Sequence, residues 1–147
     1  MDSKQSRANK RKGATFETDL EYHFKWELPL SVYARRVTRV AKAGKLDKGD
    51  LRMEFLSKDF QDVTLIIEAK NAAKFTPSEW VDEAKREAEN YEISLNSKHP
   101  GYIFPVVIAK RRNKALGKSF VIMELDQFSK LITIGKRFKD DNGEDDE

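Results

Sequence analysis

The stretch VTLIIEAK, residues 63–70, is apolar or β-branched for five positions and then ends on Glu68-Ala69-Lys70. Side chains on a strand alternate faces, so Glu68 and Lys70 emerge on one side and Ala69 on the other. A second alternating stretch, DLRMEFL, opens on Asp50 and places Leu51, Met53 and Phe55 on one face. If the two strands pair, two carboxylates and a lysine meet at one corner of a sheet. Glu17, with Glu21 one helical turn later, can bring a third carboxylate. Hard cations such as Mg²⁺ take oxygen ligands and bind through a few carboxylates plus substrate phosphate. A lysine beside them can orient or deprotonate water, or stabilise charge developing on phosphorus. Asp47 rivals Asp50 but lies inside a Lys- and Gly-rich turn, whereas Asp50 begins the apolar alternation.

An acid-x-lysine triplet alone is a weak signal in a chain this charged, and three occur: at Asp2, Glu68 and Glu83. The first lies in a polar start. The third lies in a helix, where positions i and i+2 do not share a face. Only the triplet at Glu68 closes an apolar strand.

The elements that must position these residues can be read from periodicity. Phe16, Leu20 and Phe24 are four apart, a helical stripe that Pro29 ends. SVYARRVTRV, DLRMEFL and DVTLII read as three strands. TPSEWVDEAKREAENYEISLN reads as a long helix, with Thr76 as N-cap, Pro77 at the first position, Glu79 completing a capping box, and Trp80, Ala84, Ala88 and Tyr91 as its apolar face. IFPVVIAKRR and SFVIMEL are two more strands, and DQFSKLITI is a closing helix. The order α-β-β-β-α-β-β-α predicts an α/β (α+β) domain with a central mixed sheet flanked by helices.

The 147 residues suit one domain, and 36% of them are charged against about a quarter in typical domains. No apolar run is long enough to span a bilayer and the start shows no signal-peptide pattern, so a cytoplasmic protein with no membrane association is expected. The absence of cysteine excludes disulfides, thiolate chemistry and Cys-based zinc sites. The net charge of +3 conceals a split: residues 140–147 hold six acids and no base. Subtracting those six from the 25 acidic residues leaves 19 against 28 basic ones, a net of +9 on residues 1–139. A basic body invites a polyanion. Residues 1–12 read as a flexible basic arm, 13–138 as the folded domain, and 139–147 as a disordered acidic tail.

These motifs together resemble the PD-(D/E)XK nuclease superfamily. The resemblance rests on Gly49-Asp50, twelve residues of strand and loop, then an apolar strand into Glu68-Ala69-Lys70. RKGATFETDL resembles the opening of its Holliday-junction resolvase branch, in which a basic-Gly turn leads into a helix bearing a metal-site glutamate. The match runs from about Arg11 to Ile134 and implies a restriction-endonuclease-like core. It further implies that Glu17, Asp50 and Glu68 hold Mg²⁺, with Mn²⁺ able to substitute, and that Lys70 serves the attacking water. The implied activity is hydrolysis of phosphodiester bonds in four-way or branched DNA by a homodimer, as in archaeal or phage members. Two departures stand out: Gly49 where many members have proline, and Glu83 and Glu87 where the helix after E-x-K often carries a glutamine.

Lys10, Arg11 and Lys12, then Arg35, Arg36, Arg39, Lys42, Lys45 and Lys48, flank this site in sequence and are candidates for gripping DNA phosphates. Lys110, Arg111, Arg112 and Lys114 form a second basic cluster. His23 and His99 lack accompanying ligands and read as structural. Trp26 and Trp80 read as core or interface, and Trp80, Phe75 or the strand edges are candidates for a two-fold contact. Two other readings carry the same basic surface: another repair or restriction-like nuclease, and a non-catalytic nucleic-acid-binding module. A structural or protein-interaction domain would leave the carboxylates and lysine as coincidence.

Overall fold

A computed structural model of the chain describes residues 3–28, 34–56, 63–96 and 101–142. Its elements are α1 (Ser3–Tyr22), β1 (Ala34–Arg39), β2 (Leu51–Leu56), β3 (Val63–Lys70), α2 (Pro77–Ser94), β4 (Tyr102–Ala109), β5 (Phe120–Ile122) and α3 (Leu125–Asn142). The expected order is the observed one. The strands form one five-stranded sheet in chain order. β1, β2 and β3 are an antiparallel meander, β4 lies parallel to β3, and β5 returns antiparallel. The parallel step needs a crossover, and α2 supplies it.

The period-two alternation of the strands separates two cores. On one face, Leu51, Met53, Ile67, Phe104, Val106 and Ile108 pack against Phe16 and Leu20 of α1, with Leu131 and Ile134 of α3 beside them. On the other, Ile66 meets Ala88 and Tyr91 of α2, while Val107 and Ala109 meet Trp80 and Ala84. The sheet is thus sandwiched between helices. β3 is buried on both faces, as expected for a strand that pairs in parallel.

Three expectations change. Residues 3–12 are the first half of α1 and not a flexible arm. They lack an apolar stripe, but five of the ten are Lys or Arg, which favour helix by propensity. At the other end α3 continues through Asn142, so residues 139–142 of the acidic tail are helical and residues 143–147 lie outside the described residues. Thr76 does occupy the N-cap of α2, but its side chain makes no capping bond, so the capping box with Glu79 does not form. Pro77 stands at the start of that helix as expected. Pro29 and His99 lie outside the described residues. The first helix passes through a wider π-type turn at His23–Glu27 before ending.

Trp80 is buried, whereas Trp26 is 71% exposed and does not join the core. Phe75 is exposed and stacks edge-on against Trp80 and Phe120. Among the described residues no helix is long and apolar enough to cross a membrane.

Candidate metal and phosphate site

Asp50 is the residue just before β2, and the β2–β3 register, with Leu51 opposite Ile67, carries on to set Asp50 opposite Glu68. Its backbone N–H donates to Ile67 O at 2.9 Å, and its carbonyl accepts from Val40 N–H at 3.0 Å. Its Oδ2 accepts the Ala69 N–H at 2.9 Å. These bonds fix a carboxylate that is only 1% exposed. Gly49 makes the approach possible. Its φ of +90° lies where side chains rarely go, and a Cβ there would stand 2.8 Å from Ile66 Cγ2 and 3.2 Å from Ile67 O. Proline, with φ locked near −65°, cannot adopt that backbone.

Asp47 serves the loop. Its carboxylate accepts the Ala43 N–H around the short 3₁₀ turn Gly44–Leu46. Asn90 of α2 anchors the same loop by donating to Lys45 O at 3.1 Å and Asp47 O at 2.9 Å. Of the two, Asp50 is the one that stands beside Glu68.

Glu68 and Lys70 do emerge on one face, the face covered by α2. Lys70 Nζ lies 3.0 Å from Glu68 Oε1 and 2.6 Å from Glu83 Oε2. Burial lowers the proton affinity of Lys70, but the hydrogen bond to Glu83 and the charge of Glu68 outweigh it and hold its pKa above the ordinary lysine value. The raised value favours the ammonium form, which can orient water or stabilise developing charge.

Glu83 and Glu87, whose place in the site the sequence left open, come from α2. One oxygen from each of Glu68, Glu83 and Glu87 lies within 4.8 Å of the other two. Glu68 and Glu87 are 4% and 5% exposed, and the Oε2 atom of each is buried with no donor from the described residues. Burial, a hydrogen bond shared with Glu87 and the charge of Asp50 push the Glu68 carboxyl up to about 9. Glu87 is also raised by burial, a rise that the shared bond partly offsets. The signal was present in the sequence: positions 80, 83, 84, 87, 88 and 91 form a single core-facing stripe, and acids at two of them need a reason.

Glu17 arrives from the opposite face of the sheet. Burial and the nearby charge of Asp50 raise its pKa, against the opposing pull of Lys42 and Arg39. It therefore borders Asp50. The set Glu17, Asp50 and Glu68 does not close to ligand spacing among the described residues, whereas the α2 set does. Glu21 pairs with Lys25 and stays outside the site.

The basic candidates divide. Arg39 is committed to α1, donating to Thr18 Oγ1 at 2.8 Å and Glu17 Oε2 at 3.1 Å, so it staples β1 to α1. Lys42 donates to Asp50 Oδ1 and lies in the fields of Glu68 and Glu17 as well. Lys10, Arg11, Lys12, Arg36 and Lys45 are exposed, and Lys48 is half-buried. The carbonyl of Lys12 accepts from Asn71 Nδ2 at 3.4 Å, which puts the basic half of α1 beside the end of β3. The Arg35 side chain lies outside the described residues. The second cluster begins at Lys110, whose N–H donates to Lys70 O at 2.8 Å, so it borders the site directly. His23 pairs with Glu27, as a structural residue would.

The donor set is all oxygen, of the kind a hard cation takes, and the Lys42 ammonium bonds one of the carboxylates, Asp50. Among the described residues, Glu68, Glu83 and Glu87 are the acids whose spacing could hold such an ion. No protein-family model matches the chain, and no curated protein and no solved structure matches it either.

Proposed function

We propose that the protein is a metal-dependent DNA endonuclease of the PD-(D/E)XK type, acting on four-way or branched DNA as a homodimer. The observation that carries the reading is the register of Asp50 against Glu68 with Lys70 3.0 Å from Glu68, at the end of the sheet where β3 and β4 both finish. A helix, an antiparallel three-strand meander, a crossover helix and a parallel fourth strand are the minimum that builds this corner, and they support a restriction-endonuclease-like core. Basic residues border the corner on two sides, from α1 and from the loop after β4.

Asp50 and Glu68 would hold Mg²⁺ or Mn²⁺, with Glu17 bordering from α1. The bound ion would lower the pKa of a water and polarise a phosphate oxygen. Lys70, kept protonated by Glu83 and Glu68, directs its N–H groups at the incoming water and at the charge that grows on the phosphoryl oxygens. Water would attack phosphorus and lose its proton to bulk solvent, the bond to the 3′-oxygen would break, and that oxygen would take a proton from solvent, leaving a 5′-phosphate and a 3′-hydroxyl. Lys10, Arg11, Lys12, Arg36, Lys45, Lys48 and the Lys110–Lys114 loop grip phosphates without reading bases, which gives salt-sensitive, shape-selective binding. A binding module has no need to draw buried carboxylates toward phosphate, which favours the enzyme.

Asp50→Asn and Glu68→Gln test this directly. Each should abolish cleavage while junction affinity, measured by mobility shift, stays equal or tightens as repulsion is removed. Cleavage retained in either variant would remove that residue from the site.

A further inference from the structure

The charges of the site do not balance on its α2 side. Asp50 is answered by Lys42 and Glu17 by Arg39. Glu68, Glu83 and Glu87 have Lys70 between them as their one direct cationic partner among the described residues. With all three ionised, as ligands to a cation must be, three negative charges face one positive and leave a deficit of two, and two of the three carboxylates are nearly fully buried. Buried uncompensated charge is expensive, and a carboxylate oxygen without a donor is the usual sign of a missing partner. The two donorless oxygens belong to Glu68 and Glu87, on facing elements.

We propose that Glu68, Glu83 and Glu87 hold a divalent cation of their own, distinct from the one at Asp50, with Glu68 reaching both. The spacing suits it: ligand oxygens across one Mg²⁺ or Mn²⁺ stand about 4 Å apart, and across Ca²⁺ about 5 Å, while these three lie within 4.8 Å of one another. Glu83 and Glu87 are one turn apart on α2, so a single helix presents both, and β3 presents the third. A double positive charge cancels the deficit. Lys70 already takes Glu68 Oε1 and Glu83 Oε2, which leaves Glu68 Oε2 and Glu87 Oε2 for the ion. This cation deepens the nuclease reading and rests on it for the role of Glu68, yet it is separable by experiment.

Mn²⁺ binding to the DNA-free full chain, by calorimetry and by loss of the free-ion EPR signal, provides the test. Wild type should take up a second Mn²⁺ beyond the one that depends on Asp50. Glu83→Gln with Glu87→Gln should remove it, and Glu87→Gln alone should weaken it by more than about tenfold. Thermal melts in EDTA check folding: Glu87→Gln should melt no lower than wild type, because it removes a charge facing Glu68, while losing most of the Mn²⁺-induced rise. If the double variant binds Mn²⁺ as wild type does and Asp50→Asn abolishes all binding, the α2 site is wrong and the Asp50 site stands. If Asp50→Asn changes nothing and the double variant loses Mn²⁺, the α2 site stands and the Asp50 site is wrong. Wild type that binds no Mn²⁺ overturns both.

Discussion

Folding of the metal-free protein should take up a proton near neutral pH. In the unfolded chain the Glu68 carboxyl ionises near its ordinary value of 4.5, and in the fold it holds its proton up to about 9. Between those values the native state binds more protons than the unfolded state, so stability is highest at the acid end and falls as pH rises. The groups facing Glu68 shape the slope. Burial, Glu87 and Asp50 raise its pKa, while Lys70 opposes them. Glu17 and Glu87 are displaced in the same direction, so they do not reverse the sign. One proton corresponds to about 1.4 kcal/mol per pH unit, or about 3 kcal/mol from pH 6 to pH 8. For a chain of this size that is a fall in Tm of roughly 6–12 °C. The assay is thermal unfolding followed by circular dichroism in EDTA at constant ionic strength, with Glu68→Gln alongside. Wild type should lose stability across the range and the variant should stay nearly level. A flat or rising wild-type profile, or a variant that keeps the slope, would refute the raised Glu68 carboxyl.

Other perturbations follow from the same contacts. Lys42→Met should tighten Mn²⁺ binding, by roughly tenfold or about 1.4 kcal/mol, because a tethered ammonium no longer competes for Asp50 Oδ1; weaker binding would mean that Lys42 supports the metal instead of standing in for it. Gly49→Ala should cost about 1–3 kcal/mol in denaturant unfolding, since its Cβ meets Ile66 Cγ2 at 2.8 Å and its φ is +90°. It should also shift Asp50 enough to depress cleavage, and an unchanged unfolding midpoint would show that the turn relaxes freely.

How far the sequence reveals this arrangement depends on how local the determining forces are. Alternation fixed β2 and β3, because Leu51, Met53 and Ile67 each repeat a face that must be buried. The pairing of Asp50 with Glu68 followed from one register and one turn. The stripe Trp80–Tyr91 likewise gave α2 and its buried face. What escaped was set by tertiary contact. The face of β3 that α2 covers depends on a crossover, so the approach of Glu83 to Lys70 was not legible from the pattern of either element. Arg39 and Lys42 read as free cations until the packing of α1 and the loop before β2 brought Glu17 and Asp50 to them. The start of α1 escaped for the opposite reason, being held by propensity with no apolar face to announce it.

The central claim is that this corner of the sheet hydrolyses branched DNA with a divalent ion. It is tested most directly by incubating the full chain with a labelled four-way junction and a matching linear duplex, with Mg²⁺ or with EDTA. Paired nicks near the branch that need Mg²⁺ and are absent from the duplex are the predicted result. Binding of the junction without cutting, under both Mg²⁺ and Mn²⁺, would contradict it.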